Sequence, residues 1–273
     1  MQQFLDFFET MPVWMKAGWI FVVLAIFWVL EGNYSLVRFK YRKWKHARIN
    51  LTLLLFVMII NAVFGIATAG VFSWLGETEF GLLHFFEAPI WIELLLSVMV
   101  LDLIAQYTVH FLLHKVPVMW RLHIVHHSDK HVDVTTGTRH HPIDFIIREL
   151  FALGAVIIMG MPISFYFFYR IISVLFTYFT HANMALPLWL DKGLSYLIVT
   201  PNMHKFHHHF QLPWTDSNYG NMLSVWDRLF GTFVYGDMKD IQYGIDVADH
   251  RDDENIGIQL GIPFDKSVRK MNR

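Results

Sequence analysis

Five long apolar runs, at about residues 12–30, 49–75, 89–115, 143–161 and 162–179, fill the first two thirds of this 273-residue chain. A helix needs about 20 predominantly apolar residues to cross the hydrocarbon of a bilayer, and a membrane-spanning segment must satisfy its own backbone hydrogen bonds. The runs therefore predict an all-α integral membrane protein with four to five transmembrane helices. Composition agrees, with 55% hydrophobic and 16% charged residues against about a quarter charged in soluble domains, and a mean hydropathy of +0.38. The last two runs are joined by Gly160-Met161-Pro162 and hold Arg148, Glu149 and Arg170. They predict a tight hairpin, the weakest of the five as lipid-facing helices.

Charge placement predicts an orientation. Arg38, Lys40, Arg42, Lys43, Lys45 and Arg48 crowd the first loop, whereas Glu77, Glu79 and Glu87 occupy the second. Basic loops stay in the cytoplasm, so the N-terminus is expected outside, and the ends of the third and fifth runs and the C-terminal third inside. The start of the chain, with Asp6 and Glu9, does not read as a signal peptide and is expected to be retained. From residue 236 onward the chain has eight acidic and six basic residues and no apolar run, which predicts a soluble tail. The expected divisions are 1–88, an N-terminal pair of membrane helices; 89–235, the chemistry-bearing part; and 236–273, the tail. A net charge of −1, from 22 basic and 23 acidic residues, lacks the basic footprint of a nucleic-acid binder. The chain has no cysteine, which excludes disulfides, thiolate zinc sites and cysteine-held iron–sulfur clusters. Any metal must be held by nitrogen or oxygen.

Sixteen histidines make that possibility concrete. His110 and His114 lie four apart where the third helix should emerge, with Gln106 and Asp102 one and two turns earlier on the same expected stripe. Asp102, an acid inside a membrane helix, is a functional candidate and an expected acceptor for a ligand histidine. His123, His126 and His127 follow beyond Pro117, His204, His207 and His208 repeat their offsets, and the fifth helix brings His181 to the same depth as His110. Nine imidazoles converging on one surface exceed what one ion can use, since zinc takes four ligands and octahedral iron six. Two metals are therefore expected. His46, His84, His131, His209 and His250 lack a partner at ligand spacing or sit beside a stronger candidate, and His140 and His141 are as consistent with anchoring the fourth helix. For residues 218–230 a structural role outweighs a catalytic one: a turn at Asn218-Tyr219-Gly220, a short helix packed through Trp226, Leu229 and Phe230, and an Asp227–Arg228 ion pair.

The boxes His110-Phe-Leu-Leu-His114, His123-Ile-Val-His126-His127 and His204-Lys-Phe-His207-His208 resemble the three histidine boxes of the fatty acid hydroxylase and sterol desaturase superfamily. Arg139-His140-His141-Pro142, His181-Ala-Asn183, Thr215-Asp-Ser-Asn218-Tyr219-Gly220 and Trp226-Asp227-Arg228-Leu-Phe-Gly-Thr232 are similar too, so the likeness covers about residues 95–235. It implies a cytosol-facing helical cap holding two iron ions, for which zinc may substitute on purification. These would activate O2 with electrons from a separate donor, a ferredoxin or a small haem protein with its reductase, to hydroxylate or desaturate a lipid or sterol-like substrate. The implied ligands are His110, His114, His123, His126, His127, His181, His204, His207 and His208. Phe111 and Lys115 stand where Arg and a further His are frequent in the family, and a single His stands near 181 where some members have two. These departures leave one metal shell to be filled by Asn183 or water.

Three competing readings are weighed. A zinc protease box would carry Glu after its first His, but Phe111 and Ile124 stand there. A membrane metal-binding or transport protein would place its ligands along a mid-membrane path rather than at one surface. Ether-lipid (alkylglycerol) monooxygenation shares the ligand set with hydroxylation and desaturation, so the ligands alone do not choose among the three. No Gly-x-Gly-x-x-Gly after a strand, cysteine cluster or haem domain is legible to carry the reductant.

Overall fold

A computed structural model describes residues 1–236, 238, 241–245, 252–265 and 268; His250 lies outside them. The described residues are helical, and their extended pairings are isolated bridges, such as Ser35 with Met184. The helices are α1 (Gln2–Thr10), α2 (Val13–Asn33), α3 (Lys43–Glu77), α4 (Ile90–Lys115), α5 (Pro117–His127), α6 (Pro142–Met159), α7 (Ile163–His181), α8 (Leu188–Leu194), α9 (Pro201–His207), α10 (Val225–Leu229) and α11 (Ile256–Gly261).

Four of them are long and apolar enough to cross a membrane: α2, α3 with its 3-10 extension to Phe85, α4 and α7. The fourth apolar run forms α6, which is 18 residues long but turns charges inward. Asp144 and Glu149 are buried, bonding Arg148 at 2.9 Å and Arg170 at 2.6 Å. α6 ends at Gly160, in the left-handed region at φ 66°, a conformation glycine adopts without a Cβ penalty. Gly160 also meets Gly81 of the loop before α4: a Cβ on Gly160 would lie 2.1 Å from the Phe80 carbonyl oxygen. The α6–α7 hairpin expected from Gly160-Met161-Pro162 is thus present, pinned by a second loop.

The main apolar core joins α3, α4, α6 and α7 through Leu75, Leu101, Val156 and Phe165. α1, too short to be legible as a span, lies on α7 with Phe4 and Phe8 edge-on to Phe168. The described residues beyond 236 are not a detached polar tail. Ile245, Ile262 and Val268 pack with Leu53, Trp120 and Ile124. Arg121 donates to the carbonyls of Pro263 and Asp265 at 2.6 Å each. These apolar residues are spaced too widely to form a run in sequence, yet Ile245, Ile262 and Val268 join one cluster with Trp120 and Ile124 of α5.

Candidate metal centre

Local chemistry sets each histidine-bearing element. Val116 is extended, at φ −90° and ψ 116°, as a residue before proline prefers, so α4 stops and Pro117 opens α5 in a new direction. Thr200 caps α9 by accepting from Met203 N, with Pro201 in its first turn; His181 is the last residue of α7. Inside α4, Leu103–Thr108 is π-helical. Such a turn holds one extra residue and rotates the rest of the helix by about 100°, so the stripe expected from four-residue spacing does not form. Asp102 Oδ2 accepts from Leu223 N at 3.1 Å and Trp226 Nε1 at 3.0 Å, and Gln106 donates to Ser173 at 3.2 Å. The expectation that Asp102 supports a ligand histidine is corrected on this geometry: its carboxylate holds the chain at 223–226.

The nine expected histidines gather in two adjacent buried groups. His110, His114, His123, His127 and His207 form one, and His126, His181, His204 and His208 the other, with candidate ligand atoms in each group within 4.8 Å of one another. Outer acceptors orient the rings. Nδ1 of His110 donates to Tyr219 O at 2.8 Å, that of His123 to Asp144 at 2.8 Å, and that of His207 to Ser217 O at 2.6 Å. His114 lies 3.3 Å from Asp216, His126 donates to Arg139 O at 3.2 Å, and His181 to Thr177 O at 2.7 Å. With the proton on Nδ1, each Nε2 carries a lone pair, the state in which imidazole binds a metal.

Those lone pairs face one another. Nε2 of His181 is 3.2 Å from Nε2 of His126 and 2.9 Å from Nε2 of His204. Neighbouring ligands held about 2.1 Å from one ion lie about 3.0 Å apart in an octahedron and about 3.4 Å in a tetrahedron. Nε2 of His110, His123 and His207, and both ring nitrogens of His127 and His208, are buried without a hydrogen-bond partner. Protonation does not relieve the crowding: burial holds His123 at about 4 and His207 at about 3. Burial first, then neighbouring imidazoles, keep His126, His127, His204 and His208 well below the ordinary value. A donor set of neutral, buried, mutually facing nitrogens fits two cations between them.

Other expectations land elsewhere. Asn183 accepts from Val37 N at 2.9 Å and donates to Val37 O at 2.7 Å, so both amide atoms hold the loop after α2 rather than fill a metal shell. His141 accepts from Ile143 N at 3.2 Å and caps α6, whereas His140 stacks on His126 at 4.8 Å. His209 is half-buried and accepts from Gln211 N. His46 and His131 do find partners, since folding brings them together with Asp253. The turn at 218–220 forms, with Asn218 at φ 52°. Asp227, expected to pair with Arg228, instead accepts from Tyr219 N at 2.7 Å and Gly220 N at 2.9 Å. Burial raises its carboxyl to about 6, and Arg228 lies over Phe233. This loop is structural, yet its carbonyls at 217 and 219 aim two of the imidazoles. Asp144 and Asp216 were missed as ring acceptors, because nothing in their spacing ties them to the boxes.

The sequence profile described as fatty acid hydroxylase matches residues 94–232, half of the chain and all nine histidines. The chain belongs to the fatty acid hydroxylase family. Among relatives in this family, ornithine lipid hydroxylase OlsE of Rhizobium tropici is 29% identical over 127 residues, 46% of this chain and 38% of that protein. Alkylglycerol monooxygenase of Xenopus tropicalis is 30% identical over 139 residues, 51% of this chain and 30% of that protein. Fatty acid hydroxylase vlmA of a Lecanicillium species is 27% identical over 159 residues, 52% and 42% of the two chains. The matches thus span less than half the length of each of these relatives. No solved structure matches significantly.

Proposed function

We propose that this family member is a membrane-bound dinuclear non-haem iron oxygenase that hydroxylates or desaturates a lipid drawn from the bilayer. The observation that carries the reading is the pair of buried histidine groups whose Nε2 lone pairs face common points. His110, His114, His123, His127 and His207 would hold one ion, and His126, His181, His204 and His208 the other. Two irons there would supply the redox chemistry that activates O2. Hydroxylation consumes one O2, two electrons and two protons and yields one C–OH and one water; desaturation yields one C=C and two waters. The electrons come from a separate one-electron carrier, a ferredoxin or a small haem protein with its reductase.

The chain's own groups set the conditions for that reaction. Asp144 and the carbonyls of Arg139, Thr177, Ser217 and Tyr219 fix the ring tautomers. Burial of the rings keeps them neutral and excludes water. Asp102 positions the 223–226 segment and Asn183 the loop at Val37. Residues 89–235 form the oxygenase part, and the basic loop of residues 38–48 orients its histidines toward the cytoplasm. Ether cleavage is the second reading, favoured by the likeness to alkylglycerol monooxygenases: oxygen inserted at a carbon beside an ether oxygen gives a hemiacetal, which falls apart.

Quantitative metal analysis of protein purified without added zinc tests the reading. Two transition-metal ions per chain are expected; one or none overturns the dinuclear centre. Zinc in place of iron is compatible with it, because imidazole sites accept either metal and availability decides.

A further inference from the structure

Folding assembles a further histidine cluster outside the two buried groups. His46 in the first turn of α3, His131 in the loop after α5 and Asp253 near the start of α11 each offer one ligand atom, and the three atoms lie within 4.8 Å of one another. No local spacing joins these residues. Nδ1 of His46 and Nδ1 of His131 are buried without a hydrogen-bond partner among the described residues. On its other side the His46 ring is supported: Nε2 lies 3.4 Å from Asp129, 3.7 Å from Asp133 and 3.2 Å from the Asn50 amide. A carboxylate behind one ring nitrogen holds the proton there and presents the other nitrogen to a metal. The His131 ring is held too, stacked on Tyr41 with centroids 4.7 Å apart and edge-on to Phe39 at 5.5 Å. Asp253 accepts from Lys130 N at 3.2 Å, which ties its carboxylate to the residue before His131.

The charge behind the cluster is negative. Asp129 and Asp133 are fully buried, and among the described residues no Lys or Arg forms an ion pair with either. The nearest cations are engaged with neutral acceptors. Arg139 donates to Val125 O, Asn50, Ser128 and Asp253 O, and Lys205 to Val132 O. A divalent cation would satisfy both bare ring nitrogens and offset the carboxylates. Two imidazoles and one carboxylate leave a fourth tetrahedral position for water, a set that suits zinc and its neighbours, whereas Mg2+ and Ca2+ prefer oxygen shells.

We propose that His46, His131 and Asp253 bind a third, mononuclear divalent cation of the zinc type, which fastens the segment around Asp253 to the loop after the second histidine box. This binding does not rest on the oxygenase reading, since none of the three residues belongs to either buried histidine group. It adjoins the oxygenase site all the same: Arg139 donates to Asp253 O at 2.7 Å, and its own carbonyl accepts from His126. His131 and Asp253 are partly exposed, so this ion exchanges with solvent and is shed during purification without added metal, whereas ions among the nine buried histidines are retained.

The test uses the full-length protein in nanodiscs, purified without added metal and then titrated with Zn2+. Calorimetry and metal analysis after equilibrium dialysis count the ions. One further ion per chain is expected, and Mg2+ should not displace it. His131→Phe keeps a ring against Tyr41 but removes the nitrogen, and Asp253→Asn keeps an acceptor for Lys130 N but removes the charge. Each should weaken the further ion by at least the roughly 10-fold that loss of an outer partner costs, with the ions retained on purification unchanged; Asp253→Asn is read alone if His131→Phe fails to fold. Hydrogen exchange at residues 252–265 should slow with Zn2+ in the native chain and not in Asp253→Asn. No further ion, or one bound equally by the variants, overturns the site, and uptake without slowed exchange overturns the fastening. Failure of the dinuclear reading looks different: the ions retained on purification are absent while Zn2+ uptake still depends on His131 and Asp253.

Discussion

What one ring nitrogen of a histidine touches decides here whether its other nitrogen is free for a metal. His126 and His207 illustrate this: each donates Nδ1–H to a backbone carbonyl, Arg139 O and Ser217 O, which leaves Nε2 bare and aimed inward. His126→Ala or His207→Ala is therefore expected to abolish turnover together with bound metal, followed as oxidised lipid formed in membranes supplied with O2 and reductant; full oxidation in both variants would make these histidines structural. Asp144→Asn keeps the shape of the acceptor of His123 but not its charge, and should lower metal affinity or activity about 10- to 100-fold, read by metal retention during dialysis. Asp102 behaves differently, because its carboxylate serves Leu223 N and Trp226 Nε1 rather than an imidazole. An amide oxygen can replace it there, so Asp102→Asn should keep both metals. Asp102→Ala strands two buried donors and should cost about 1–3 kcal/mol of stability, seen in a denaturation midpoint.

At the scale of elements, the π-helical turn in α4 decides which residues share a face. Downstream of it His110 and His114 point into the five-histidine group, while upstream Asp102 points at the chain around Leu223. Deleting Ala105 converts the wide turn into an ordinary one and rotates one side against the other by about 100°. The expected outcome is loss of metal from the five-histidine group with the overall helix content kept, measured by metal analysis alongside circular dichroism. Retention of both metals would show that α4 tolerates either register.

For the whole molecule, the described residues near the C-terminal end of the chain converge on the histidine region. The segment after residue 236 packs on α5 through Ile245 and Ile262, and Asp253 O accepts from the buried Arg139 at 2.7 Å, the residue whose own carbonyl orients His126. The described residues after 236 are thus tied to the end of the helix bundle that holds the histidines. With the basic loop of residues 38–48 cytoplasmic, a reporter fused after Arg273 should be active in the cytoplasm; activity confined to the outer face would reverse the topology.

Apolar length by itself determined that this chain is a helical membrane protein, since a run of about 20 apolar residues has one low-energy solution in lipid. Local spacing singled out eight of the nine histidines, because offsets of three and four put imidazoles on one helix face whatever the rest of the chain does; His181 followed from the depth at which the fifth apolar run ends. Other features required distant segments to meet. The division of the nine into five and four depends on how α4, α5, α7 and α9 pack, and sequence offsets say nothing of that. The same holds for the carbonyls at 217 and 219 that aim His207 and His110, supplied from outside those helices, and for Asn183, which bonds a loop 146 residues earlier. The register of α4 escaped for a different reason. One extra residue in a helical turn leaves no mark on hydrophobic periodicity when its neighbours are apolar on every side, so only the packed structure separates Asp102 from the histidines it shares a helix with.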